Sequence, residues 1–292
     1  MKNAISLEKK QNITGWAFVL PATIMIFIFY FYPIVKAFIL SLQTGVGKNI
    51  RFTGFSNYIR LFSDDLFKTS LKNTFIYMLQ IPIMLILALI LANLLNDENL
   101  KCRSFFRTAI FLPCATSLVS YSIIFRSMFA LDGLVNALLL KLNFIDKPIN
   151  WLGDPWRARI IIIIALTWRW TGYNMVFYLS GLQNISTSIY DAAKIDGAGP
   201  FTKFFKITIP LLRPMILLTT IMSTNGTLQL FDETKNLTNG GPANATISMS
   251  QYIYRLSFEY SPQFGYAAAV SYVVFIMVAI LAFIQMKVGD KR

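Results

Sequence analysis

Histidine is missing from this 292-residue chain, and cysteine occurs only twice. Without His, and with Cys102 and Cys114 too far apart for a Cys-x-x-Cys pair, a zinc or haem site of the usual kind is excluded. No cofactor is therefore expected in the chain itself. Cys102 falls between apolar runs and Cys114 inside one, which argues against a structural disulfide. A phosphate-cradling G-x-x-x-x-G-K-[ST] loop is also missing. The nearest string, Gly45-Val46-Gly47-Lys48-Asn49, lacks both the upstream glycine and the hydroxyl residue. Charge is scarce, at 14% of residues against 55% hydrophobic, too apolar a balance for a soluble domain of this length.

What is present is a series of long apolar runs. Segments long enough to cross a bilayer, roughly 20 residues each, fall at about Ile13 to Leu40, Asn73 to Leu95, Phe105 to Phe129, Ile160 to Leu182, Leu211 to Phe231 and Phe264 to Met286. The expected fold is an all-α integral membrane protein of six transmembrane helices, a single domain over residues 1–292. Lys2, Lys9 and Lys10 before the first run suggest a signal peptide, but the run far exceeds a signal core of about 7–15 residues and no small-residue cleavage site follows. It is expected to stay as the first span.

An even number of spans puts both termini on one side. Placing them in the cytoplasm also places Lys101, Arg103, Arg107, Lys194, Lys203, Lys206, Arg213, Lys287, Lys291 and Arg292 there, in agreement with the positive-inside rule. The formal charge of +13 thus belongs to loops and span ends that meet phospholipid head groups, and no nucleic-acid partner is expected. None of the six spans holds Asp or Glu. Ion-coupled transporters need carboxylates or broken helices within the membrane to hold the coupling ion, so the energy for any transport must come from elsewhere.

Between the fourth and fifth runs, residues 186–210 are too polar for lipid. Ser188 with Asp191 three residues on has the form of a capping box that would start a short helix at about Ser188. Gly197 can take the positive φ that ends it, and Pro200 fits the first position of a second helix. Phe201, Phe204 and Phe205 then share one face of that helix, with Lys203 and Lys206 turned away. Pro210 and Pro214 mark the bend into the next run.

The whole chain resembles the permease subunits of ATP-binding-cassette importers, and within them the carbohydrate branch of the maltose and glycerol-phosphate type. The family signature is E-A-A, three residues, Gly, nine residues, I-x-L-P. Here it reads Asp191-Ala192-Ala193, Gly197 and Ile207-Thr208-Ile209-Pro210, with Asp for Glu and Ile for Leu. Leu112-Pro113, Trp151-Leu152-Gly153-Asp154-Pro155, Leu237-Thr238-Asn239-Gly240-Gly241-Pro242 and Gly265-Tyr266-Ala267-Ala268-Ala269 extend the likeness. The resemblance implies the type I importer permease fold in a bacterial inner membrane. It also implies four kinds of partner: a second permease, two ATPase subunits that bind ATP and Mg, an outer solute-binding protein and a sugar. In such importers the loop inserts a coupling helix into the ATPase, a role that carries over to Asp191, Ala192, Ala193, Asp196, Gly197, Ala198, Phe201, Ile207 and Pro210. A hairpin that only braces spans four and five is the plainer reading of the same segment.

Neutral sugars call for aromatic faces with a few uncharged hydrogen-bonding groups. Trp170, Tyr173 and Asn174 in span four and Asn225, Thr227 and Gln229 in span five offer that chemistry, and by the family analogy the neighbourhoods of Trp170, Tyr173 and Thr227 match the sugar site. Ordinary helix packing is the alternative for each. Arg169, midway along span four, has three open accounts: it lines an aqueous pathway, it pairs with Asp232 or Glu233, or it is a structural arginine whose head snorkels. The outer loops, including Asn57 to Phe62 and the Gly240-Gly241-Pro242 turn, would receive the solute-binding protein or be plain solvated connections. Other classes to weigh are a membrane enzyme acting on lipids, a non-ABC six-span transporter and a channel. The lack of His and of intramembrane carboxylates leaves an enzyme little to work with, and nothing resembles a selectivity filter.

Overall fold

A computed structural model describes residues 7–97 and 99–289. Lys2, which entered the signal-peptide reading, and Lys291 and Arg292, which entered the charge asymmetry, lie outside the described residues. Four helical segments are long and apolar enough to cross a bilayer: Gln11–Ser41, Asp65–Leu95, Pro155–Gln183 and Phe264–Gly289. Two bent pairs, Arg103–Ala115 with Leu118–Met128 and Pro200–Leu211 with Arg213–Leu228, bring the number to six when each counts as one span. The order agrees with the expected one, and each difference has a local cause. The second helix starts at Asp65 rather than Asn73 because Asp64 caps it, its carboxylate accepting from the Leu66 and Phe67 N–H groups. The fourth starts at Pro155, capped in the same way by Asp154 through Trp156 and Arg157. The second is interrupted at Leu79, three residues before Pro82, whose ring nitrogen cannot donate to the Met78 carbonyl.

The chain divides into two compact units. One comprises residues 1–63 and 256–272. It holds the first span, whose apolar window has no buried residue. A two-residue antiparallel ladder follows, Gln43–Thr44 with Arg51–Phe52, then the helix Ser56–Leu61. Asn57, expected in an open outer loop, is buried and donates to the Ser41 and Gln43 carbonyls, both at 2.8 Å. Arg60 bonds Gln263 at 2.6 Å and stacks over the Tyr266 ring.

The other unit comprises residues 64–255 and 273–292. Its core is the seam between the second and fourth spans. Ile81, Met84, Leu85, Ala88, Leu89, Ala92 and Leu95 recur at helical spacing and meet Met175, Tyr178, Leu179 and Leu182. Ala88 and Ala92 are fully buried, and small residues of this kind let two helix backbones approach in an apolar medium where the hydrophobic effect cannot drive association. A second cluster joins Tyr121, Phe125, Ile161, Ile162, Ala165 and Leu166 to Leu230 and Leu237. The segment after the fifth span is no solvated loop. Ile247 and Met249 are fully buried, Asn73 donates to the Ile247 carbonyl at 2.9 Å, and Tyr77 donates to that of Thr246 at 2.8 Å.

Candidate functional site

Two places in the second unit carry functional geometry. The first is the polar segment between spans four and five. Its first helix runs Thr187–Ile195 and ends in a complete Schellman motif: the Ala198 N–H donates to the Ala193 carbonyl at 2.8 Å and the Gly197 N–H to that of Lys194 at 3.1 Å. Gly197 sits at φ +75° with open space where a Cβ would stand, so the glycine is required by its backbone conformation alone. Pro200 opens the next helix as expected. The Tyr190 and Thr208 hydroxyls, 3.1 Å apart, tie the two arms together.

Two details of this segment correct the sequence reading. The capping box does not form. The helix starts one residue early, at Thr187, so Ser188 already has helical backbone and its hydroxyl meets that of Ser186 at 2.7 Å instead of a helix-opening N–H. The three phenylalanines do not act together either. Phe204 packs against the core of spans two and four, whereas Phe201 and Phe205 are 81% and 60% exposed. Ala193 is buried within the chain, while Asp191, Ala192, Asp196 and Gly197 are exposed and Ala198 and Ile207 are half-buried. Ile195, at 87%, is the most exposed large apolar side chain of the described residues.

The second place is a cavity of about 350 Å³ bounded by spans two, four and five. Of the seven residues expected along a pathway, Trp170, Tyr173, Asn174, Thr227 and Gln229 line it. The Trp170 and Tyr173 rings meet edge to face, centroids 5.7 Å apart. Asn174 donates to the Trp170 carbonyl at 3.0 Å, and Gln229 reaches the exposed Asn225, outside the wall, at 2.6 Å. Sequence reasoning passed over Gln80, Asp232 and Glu233 as cavity residues, although all three line it. Gln80 was visible as a lone amide in an apolar run. Asp232 and Glu233 lie past the end of the fifth span and so read as loop. Glu233 is buried and accepts a hydrogen bond of 2.7 Å from the Tyr121 hydroxyl. Burial pushes its carboxyl above the ordinary range, and the Tyr121 bond opposes that shift.

Arg169 lies behind this wall, not in it. Its two terminal nitrogens donate to the carbonyls of Pro113 at 3.2 Å, Cys114 at 3.3 Å and Thr116 at 2.8 Å. These carbonyls belong to the 98° break in span three, where a helix end leaves acceptors without intrahelical partners. The guanidinium also stands over the Tyr121 ring at 4.6 Å and the Trp170 ring at 5.5 Å, and among the described residues it makes no ion pair. Arg169 therefore caps a broken transmembrane helix. Gly172, one turn on, belongs to the same joint, because a Cβ there would collide with the Ile110 carbonyl.

A helical membrane body with a preformed polar hairpin and a cavity between its spans defines a permease subunit. The chain belongs to the family described as binding-protein-dependent transport system inner membrane component, which it matches over residues 66–290. Its relatives include the lactose transport system permease protein LacF of Rhizobium radiobacter, 53% identical over 98% of this chain and 97% of that one. The arabinooligosaccharides transport system permease protein AraP of Bacillus subtilis (strain 168) is 35% identical over 96% and 89% of the two chains. The trehalose/maltose transport system permease protein MalF of Thermococcus litoralis is 33% identical over 98% and 97%. Among solved structures, a chain of a bacterial ABC transporter that imports the acidic polysaccharide alginate shares the fold, with a TM-score of 0.86 over 97% of both chains at 22% identity. The chain is thus a multi-pass membrane permease subunit of a binding-protein-dependent importer and not itself an enzyme. No cluster of metal-binding side chains occurs among its described residues.

Proposed function

We propose that this chain is one permease of a sugar importer in the bacterial inner membrane, with both termini in the cytoplasm and residues 1–292 acting as one transmembrane domain. It pairs with a second, similar permease to enclose the pathway, receives sugar from an outer solute-binding protein, and is driven by two ATPase subunits that carry ATP and Mg. The 53% identity to a lactose permease along nearly the full length of both chains carries the sugar assignment and favours a disaccharide. Further support comes from the names of the other relatives, which refer to arabinooligosaccharides and to trehalose and maltose.

The hairpin at 186–210 is the contact with the ATPase. An exposed, internally closed helix end carrying Ile195 and Phe201 outward suits insertion into an apolar groove, with Ala192 and Gly197 allowing close approach. The cavity is this permease's share of the pathway, with the Trp170 and Tyr173 faces and the Asn174, Thr227 and Gln229 groups suited to sugar hydroxyls. The test is reconstitution of the complete importer in liposomes with measurement of lactose uptake and ATP hydrolysis. ATP-dependent uptake that is lost when Gly197→Val is introduced is the expected result. Uptake by this chain without an ATPase would overturn the reading, and so would normal coupled uptake by the Gly197→Val complex.

A further inference from the structure

We propose that the cavity selects uncharged sugars against anionic ones. Asp232 and Glu233 are the selecting groups, and Gln80 is an acceptor for a ligand hydroxyl. The inference rests on the reading of this cavity as the sugar pathway.

Among the side chains that line the cavity, Asp232 and Glu233 are the only acidic ones, and no Lys or Arg stands in the wall. The nearest guanidinium, that of Arg169, lies beyond the Trp170 ring with its terminal nitrogens given to the carbonyls of span three, so it offers no fork to a phosphate or carboxylate. A sugar phosphate or uronate entering this space would lose its hydration, meet the Asp232 carboxylate beside the buried Glu233 and find no cation in the wall. A neutral sugar loses far less hydration, and its hydroxyls are donors that carboxylates accept well. An unfavourable group placed against the wrong ligand is one of the two routes to discrimination between otherwise similar molecules.

Gln80 supplies the second observation. It is 2% exposed, its Nε2 donates to the Thr227 hydroxyl at 3.2 Å, and its buried Oε1 has no partner among the described residues. An orphaned acceptor in the wall of a cavity is satisfied when the amide turns to meet a ligand hydroxyl, and that bond exists only with ligand present.

The experiment uses the assembled permease–ATPase complex in lipid nanodiscs with the solute-binding protein left out, so that its own selectivity does not enter. Binding of lactose and of lactose 6-phosphate is followed by tryptophan fluorescence, Trp170 being in the wall. Lactose is expected to bind at least ~10-fold more tightly than its phosphate, a factor worth about 1.4 kcal/mol. The ratio is expected to narrow in Asp232→Asn and further in Asp232→Asn/Glu233→Gln, while Gln80→Leu weakens lactose with the ratio kept. Asp232 is half-buried, so the single variant reads out charge even if the double variant does not assemble. Equal binding of the two probes, or an unchanged ratio in Asp232→Asn, would overturn the selection. Failure of both probes to bind a complex that hydrolyses ATP would overturn this proposal together with the pathway reading of the cavity. Sugar import itself stands or falls on the separate uptake measurement.

Discussion

At the scale of single residues, the decisive contacts join spans through backbone carbonyls. Arg169 satisfies the Cys114 and Thr116 carbonyls at the break in span three and shares that of Pro113 with the Thr116 hydroxyl, and leaving such buried groups unpaired costs about 1–3 kcal/mol each. Arg169→Gln is therefore expected to lower the thermal midpoint of the detergent-solubilised complex by several degrees, read by size-exclusion after heating, and to reduce uptake. Full stability and full uptake would mean that the carbonyls find other donors. Gly172→Leu is expected to be worse, because the nearest atom is the Ile110 carbonyl and a backbone cannot swing aside like a side chain. Its test is the yield of assembled complex against that of the unaltered chain.

At the scale of elements, the helix ends are the testable parts. Asp154 caps the fourth span with two N–H bonds, so Asp154→Ala is expected to cost about 1 kcal/mol of stability and Asp154→Asn much less. A denaturation series on the purified complex separates the two. In the hairpin, Gly197→Ala forces a side-chain-bearing residue into the left-handed region at a cost of about 1–2 kcal/mol. The expected outcome is a frayed helix end and ATP hydrolysis that no longer tracks uptake, with a milder defect than that of Gly197→Val.

These elements also mark how far the sequence could be read. The positions of spans two, four and six follow from apolar length, and the Gly197 turn and Pro200 start follow from backbone chemistry that is local to those residues. The missing capping box shows the limit of such local rules, since Ser186 and Ser188 were both able to start the helix and only the three-dimensional chain chose. The break in span three is capped by Arg169 from 53 or more residues away in the chain, and Pro113 near the helix end is the only local sign of it. Five of the seven pathway candidates reach the cavity because Trp170, Tyr173 and Asn174 lie within one turn or so of span four. Asp232 and Glu233 are legible in the sequence only as candidate partners of Arg169, because a folded-back segment reads as loop until its return against span two is seen.

At the scale of the whole molecule, orientation and assembly are the open quantities. Cys102 is exposed and follows the second span, whereas Cys114 is half-buried in the third. With both termini in the cytoplasm, a membrane-impermeant maleimide is expected to label Cys102 only after cells are opened. Labelling in intact spheroplasts would invert the topology. The first span has no buried residue in its apolar window, so its faces are left to lipid and, in the proposed assembly, to a second permease. The chain expressed without that partner is expected to be recovered in lower amount and to melt earlier than in the complex.

The closed helix end at Gly197 has a mechanical consequence. Its bonds from Ala198 to Ala193 and from Gly197 to Lys194 lie entirely within the hairpin, so in the proposed assembly the ordering of this helix end does not have to be driven by contact with the ATPase. A handle that is already stiff passes a displacement on to the spans behind it. One that had to fold on contact would absorb part of each stroke in its own rearrangement.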